Sequence, residues 1–194
     1  MSSDLFTSEG GRKYLTAEEL VQFIAVANAQ ERAEVRSFCL VLAHTGCRIS
    51  EALALTAMSV DLEQQAVTFK TLKQRSAERF RAVPVPASTI DTLELVHSIR
   101  KARRSPRAKQ ERLWRWGRTQ GFNHVKDVMA EAGIEGAHAS PKGLRHGFGV
   151  RAIQKTRNPR LVQKWLGHRS LETTTIYMDI LGQEERAEAQ AMWA

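Results

Sequence analysis

The chain is poor in the residues that staple or span. It has two cysteines among 194 residues, Cys39 and Cys47. That is too few for a disulfide scaffold and excludes the small cross-linked folds. Both sit among apolar or small neighbours and read as reduced thiols of a cytoplasmic protein. No run of about 18 apolar residues occurs, so no membrane-spanning helix and no membrane partner are expected. The first residues, MSSDLFTSEGGRKY, lack the basic-then-apolar pattern of an export signal. Tyrosine is scarce: only Tyr14 and Tyr177. Acid is scarce relative to base, with 21 Asp and Glu against 29 Lys and Arg.

What is there argues for a folded domain. Hydrophobic residues make up 42% of the chain, enough for a core, and wholesale disorder is excluded. The charge is uneven. Between positions 100 and 118 stand Arg100, Lys101, Arg103, Arg104, Arg107, Lys109, Arg112, Arg115 and Arg118, with Glu111 as the one acid. This segment alone has a local excess equal to the net +8 of the whole chain. Such a block attracts a polyanion, nucleic acid above all, or is simply a solvated loop. Trp114 and Trp116 within it are either core anchors or part of the same face.

Residues 1–13 read as a loose tail. Thr16 and Glu19 form a capping box, and Leu20, Phe23, Ile24 and Ala27 follow at helical spacing. A second helix is predicted over 31–45, stopped by Gly46, and a short one over 49–55. Ala66–Phe69 and 80–85 read as two strands, with a hairpin loop at 74–78 and Pro84 and Pro86 closing the second. Helical patterns return at 88–103, 119–132, 141–155 and 159–166. Ser140-Pro141 marks one start, and Ser170 is read as the cap of a helix through Tyr177. The segment 183–194 is Glu- and Ala-rich and reads as a helical tail. The fold class is therefore mainly α with a small antiparallel sheet (α+β), the sheet needing helices to pack against.

Four local patterns could bear chemistry, and each has a bland alternative. In Thr45-Gly46-Cys47-Arg48-Ile49-Ser50-Glu51, Arg48 opens a helix as part of an anion cradle, or merely pairs with Glu51. In Ser140-Pro141-Lys142-Gly143-Leu144-Arg145-His146, basic side chains crowd a helix N-terminus, which opposes the macrodipole unless an anion sits there. In Leu166-Gly167-His168-Arg169-Ser170, a histidine stands on a turn. In Thr173-Thr174-Thr175-Ile176-Tyr177, a tyrosine follows nine residues later.

In that order and spacing the set resembles the tyrosine recombinase (phage integrase) family, from about position 13 to about position 182. The resemblance implies that family's catalytic-domain fold over 14–182. It implies site-specific DNA recombination through a 3′-phosphotyrosyl intermediate, with no metal, ATP or other cofactor. Arg48 and Arg145 match the two catalytic arginines, His168 the histidine of Leu-Gly-His, and Tyr177 the nucleophile. Lys142 stands where the family usually has histidine, a position used for proton handling. The hairpin lysine is assigned to Lys73, with Lys70 as the alternative. Arg100, Lys101, Arg103, Arg104, Arg107, Lys109 and Arg112 are expected to lie along DNA. The expected partner is double-stranded DNA, on which the chain assembles as a homotetramer from a free monomer or weak dimer. The 183–194 tail is then a candidate for exchange between subunits. The helical DNA-clamping domain that usually precedes this pattern is expected to be absent. A type IB topoisomerase-like enzyme and a non-catalytic DNA-binding regulator are the competing readings.

Overall fold

The computed structural model describes residues 5–70, 80–178, 190, 192 and 193. The hairpin loop read at 74–78, Lys73 and most of the 183–194 tail lie outside them.

Helix α1, Ala17–Ala29, begins as the sequence dictates: Thr16 Oγ1 accepts the Glu19 N–H and the Glu19 carboxylate accepts the Thr16 N–H. Leu20, Phe23 and Ala27 are its buried stripe. They pack on α2, Ala33–Thr45, a helix buried on nearly every side in its second half and the axis of the core. Gly46 ends α2 with φ 59, and a Cβ there would come within 2.5 Å of the Phe148 ring. Only glycine satisfies both the left-handed backbone and the close approach. The chain then turns into α3, Ile49–Ala52, and a 3-10 turn at Ala57–Ser59.

Three antiparallel strands follow in the order β1, Val60–Asp61; β2, Ala66–Lys70; β3, Phe80–Pro84. Val67 pairs with Val83 and Phe69 with Arg81, so Arg81 faces the protein with Val83 while Phe80, Ala82 and Pro84 are exposed. The two-residue β1 is too short to leave a pattern in the sequence. The single helix predicted over 88–103 is two: α4, Ala87–His97, and α5, Ile99–Arg104. Ser98 breaks it with φ 48, and the turn delivers Ile99 to the core, fully buried. The last helices are α6, Arg118–Glu131; α7, Pro141–Thr156; α8, Pro159–Leu166; and α9, Glu172–Thr175. The final one starts after Leu171 and ends before Tyr177, shorter than the predicted helix capped by Ser170. Among the described residues, no helix is long and apolar enough to cross a membrane.

The tail reading fails for 5–13. Leu5 is fully buried, and Phe6 bridges to Arg12. Arg12 binds the Glu19 carboxylate and holds it down to about pKa 2. Trp114 is a core anchor, buried against Phe38 and His97, its indole N–H donating to Glu34 O at 3.0 Å. Trp116 is half-buried between Phe38 and His124.

Burial pushes the His97 ring down to about 4. Protonation is therefore disfavoured in the folded state, and stability present above the ordinary value of about 6.5 is lost as pH falls toward 4. Urea unfolding of the native chain is expected to weaken across that window, and His97→Phe to flatten the dependence. Parallel curves for the two proteins would contradict this.

Candidate active site

The four patterns that carried the resemblance converge. Arg48 precedes α3, Lys142 and Arg145 lie on α7, His168 lies on the turn after α8, and Tyr177 lies just past α9. All five line one cavity of about 490 Å³ with Ser50, Arg118 and Phe122.

Arg145 is 8% exposed. Its guanidinium donates to Gly46 O at 2.7 Å and Leu166 O at 2.9 Å. One side chain thereby clamps the turn before Arg48 to the turn before His168. Burial first, then Arg48, lowers its pKa to about 10, which leaves it cationic at neutral pH. Arg48 is more open, its side chain 41% exposed, and Nη1 lies 3.2 Å from Glu51 Oε1. Its backbone N–H donates to Glu51 Oε2 at 2.8 Å.

Glu51 is held from the other side by a residue the sequence reading did not single out. Arg81, on β3, donates to both carboxylate oxygens of Glu51, at 2.7 and 3.2 Å. Its Nε donates to Trp165 O at 2.8 Å. The guanidinium lies 4.9 Å from the centre of the Phe69 ring and against Gly167. Arg81 thus ties the sheet to both Arg48 and the Leu-Gly-His turn. Its signal was present: Arg81, Val83 and Val85 alternate, which places a charge in phase with buried valines. Burial pushes the Glu51 carboxyl up, but the hydrogen bonds and charge of Arg81, with Arg48, leave it below the usual range.

His168 is half-buried, and Nδ1 lies 2.9 Å from Thr174 Oγ1. Burial and the cations Arg145 and Arg48 push its ring down to about 3, so it is neutral. Tyr177 is 2% exposed and belongs to a small second core with Leu5, Val150, Val162 and Leu166. Its ring is stacked near His168, centroids 6.1 Å apart. A Cβ on Gly149 would approach the Tyr177 ring to 2.5 Å, so the absence of a side chain makes the slot. Gly149→Ala is expected to destabilise the chain by about 1–3 kcal/mol through overpacking. An unchanged thermal midpoint would contradict the slot.

Lys142 is exposed at the rim. Lys70 ends β2, exposed and paired with Phe80; Lys73, the assigned hairpin lysine, is outside the described residues. Within the basic segment, Arg103 points inward and donates to the carbonyls of Ala57 and Val60. Arg100 pairs with Glu94, and Arg107 and Arg115 share Glu111. Lys101, Arg104 and Arg112 are exposed and Lys109 partly so. Among the described residues, no three His, Cys, Asp or Glu side chains are grouped to hold a metal ion.

Known proteins resemble this chain over most of its length. Tyrosine recombinase XerD of Mycobacterium leprae (strain TN) is 30% identical over 182 residues, covering 85% of this chain and 56% of that protein. The chain thus spans little more than half the length of that relative. Type 1 fimbriae regulatory protein FimE of Escherichia coli (strain K12) is 28% identical over 181 residues, 86% of this chain and 85% of that one. The fold superposes on the XerH site-specific recombinase bound to palindromic difH substrate, a post-cleavage complex. The TM-score is 0.75 at 26% identity, over 98% of this chain and 56% of that one. The phage integrase family model matches residues 13–184, which include every residue that lines the cavity, and the chain belongs to that family.

Proposed function

We propose that this chain is a site-specific DNA recombinase that cuts and rejoins double-stranded DNA through a covalent link to Tyr177. The observation that carries the reading is the convergence of Arg48, Lys142, Arg145, His168 and Tyr177 on one cavity from separated stretches of chain. In it Tyr177 Oη attacks a phosphodiester, a 3′-phosphotyrosyl bond forms and a 5′ hydroxyl leaves. One phosphodiester replaces another, so no ATP is consumed. Arg48 and Arg145 receive the charge that gathers on the non-bridging oxygens, as permanently charged bidentate donors. His168 is neutral; in this reading Nδ1 accepts from Thr174 Oγ1, which leaves an Nε2–H to serve a phosphate oxygen. Lys142 adds charge at the rim, and the hairpin lysine, Lys73, protonates the leaving 5′ oxygen.

The side chains best placed to meet the DNA backbone are Lys101, Arg104, Lys109 and Arg112, since Arg100, Arg103, Arg107 and Arg115 already hold carbonyls or carboxylates and Arg118 lines the cavity. Neutralising four phosphates gives a salt slope of about −3.6. Likeness to XerH, bound to its difH substrate, supports DNA as the partner. Assembly is as a tetramer on DNA, in the cytoplasm, with the exposed Met192 and Trp193 at the end of an exchanged tail. The test is covalent trapping in EDTA on nicked duplexes taken from DNA flanking the gene. A denaturation-resistant band that disappears in Tyr177→Phe is expected. No band and no DNA binding at low salt would overturn the reading.

A further inference from the structure

The proposed attack needs an acceptor for the phenol proton, and the nitrogen in reach belongs to a residue of the second pattern to which the resemblance assigned no role. Tyr177 Oη lies 3.1 Å from Nδ1 of His146. The two rings are 5.9 Å apart and tilted by 57°. His146 is 8% exposed and follows Arg145 on α7, so the helix that fixes the arginine also fixes this imidazole. Three residues further on, Gly149 seats the Tyr177 ring, and both partners are held in place by the same helix. The other candidates are worse placed. His168 engages Thr174 through Nδ1, and burial beside Arg145 and Arg48 makes its ring a poor proton acceptor. Lys142 is an exposed side chain in the first turn of α7.

We propose that His146 is a further catalytic residue of this site: Nδ1 takes the Tyr177 proton as Oη bonds to phosphorus, and returns it when the strand is rejoined. The proposal rests on the reading of Tyr177 as nucleophile. In cleavage the Oη–H bond breaks and the proton passes to Nδ1. The Oη–P bond forms, the P–O5′ bond breaks, and the leaving oxygen takes its proton from the hairpin lysine. Rejoining runs the same transfers backwards. The imidazolium forms in a cavity that already holds Arg48 and Arg145, and the bound phosphodiester supplies the negative charge that offsets it. The transfer requires the neutral ring to carry its resting proton on Nε2, which leaves Nδ1 to accept.

Two measurements test this on the full chain. In ¹⁵N-histidine NMR, the His146 Nδ1 resonance is expected to shift when Tyr177→Phe removes the hydroxyl; an unmoved resonance overturns the contact and needs no change at 146. In single-turnover trapping, His146→Gln is expected to slow adduct formation by about 10²–10⁴-fold with DNA affinity kept. Placing 3,5-difluorotyrosine, a more acidic phenol, at position 177 is expected to narrow that loss. A 5′-bridging phosphorothiolate, whose sulfur leaves without a proton, is expected not to narrow it. Adduct formation at the native rate in His146→Gln overturns the proposal alone. So does a loss that the acidic phenol leaves intact, which marks His146 as a positioning residue. A native chain that forms no adduct overturns the nucleophile reading, and the proposal falls with it.

Discussion

Replacing Arg81 by methionine is expected to destabilise the chain by about 3–5 kcal/mol, because it leaves a buried carboxylate without its main partner. The Glu51 side chain is 1% exposed and Arg81 is 5% exposed. Two hydrogen bonds, of 2.7 and 3.2 Å, join them; the more open Arg48 adds a single side-chain contact of 3.2 Å and its backbone N–H at 2.8 Å. The sign of the pH dependence follows. In the native chain Glu51 titrates below its ordinary value, so its contribution is complete above that value and is lost as pH falls from there through the lower folded-state value. Without Arg81 the largest remaining influence is burial, and the carboxyl is expected to titrate above its ordinary value. The gap between variant and native chain therefore narrows as pH falls from 7 toward 5. Arg81→Met/Glu51→Gln removes the orphaned charge and is expected to recover part of the loss. Urea unfolding at the two pH values checks all three statements; a single variant as stable as the native chain would refute them.

Arg145→Lys is expected to lower the rate of covalent adduct formation by about 10²–10³-fold while DNA affinity changes little. The guanidinium has five donors in a planar fork, and two of them hold Gly46 O and Leu166 O. The rest remain for a phosphate in the cavity that Arg145 lines. A lysine ammonium is a compact point charge and cannot span both carbonyls and still offer a bidentate face. Positive charge survives, so encounter with DNA survives. What is lost is the placement of charge where it develops. Equal single-turnover rates for Arg145→Lys and the native chain would contradict this role.

Much of the scaffold was readable from residue patterns. The Thr16 capping box, the Gly46 stop, the Ser140-Pro141 start and the two main strands all appear where local chemistry puts them. These are short-range signals, complete within a few residues. The misses are long-range. Nothing local marks Ser98 as a break; the break follows from where Ile99 must go. The 5–13 segment looked loose because its apolar pair, Leu5 and Phe6, stands among polar residues, and the buried residues Leu5 joins, Val150 to Tyr177, are more than a hundred residues away.

The site divides the same way. Arg48, Lys142, Arg145, His168 and Tyr177 were legible as a spaced series, and the fold brings them to one cavity. Arg81 was hidden because a charged residue on a strand reads as a solvent-facing one unless its phase with Val83 is weighed. His146 was hidden by its neighbour, since an arginine and a histidine in succession read as one basic cluster. Only packing shows that its ring nitrogen meets the tyrosine oxygen.

The central claim, that Tyr177 is the nucleophile, is tested most directly by locating the attached DNA. The chain has only one other tyrosine, Tyr14, so the assignment is a choice between two peptides. The protein would be trapped on a nicked duplex, digested with nuclease and protease, and sequenced by mass spectrometry. The expected result is a nucleotide remnant on the peptide that contains Tyr177, joined through a 3′ phosphate. A remnant on Tyr14, on a serine, or joined through a 5′ phosphate would contradict it.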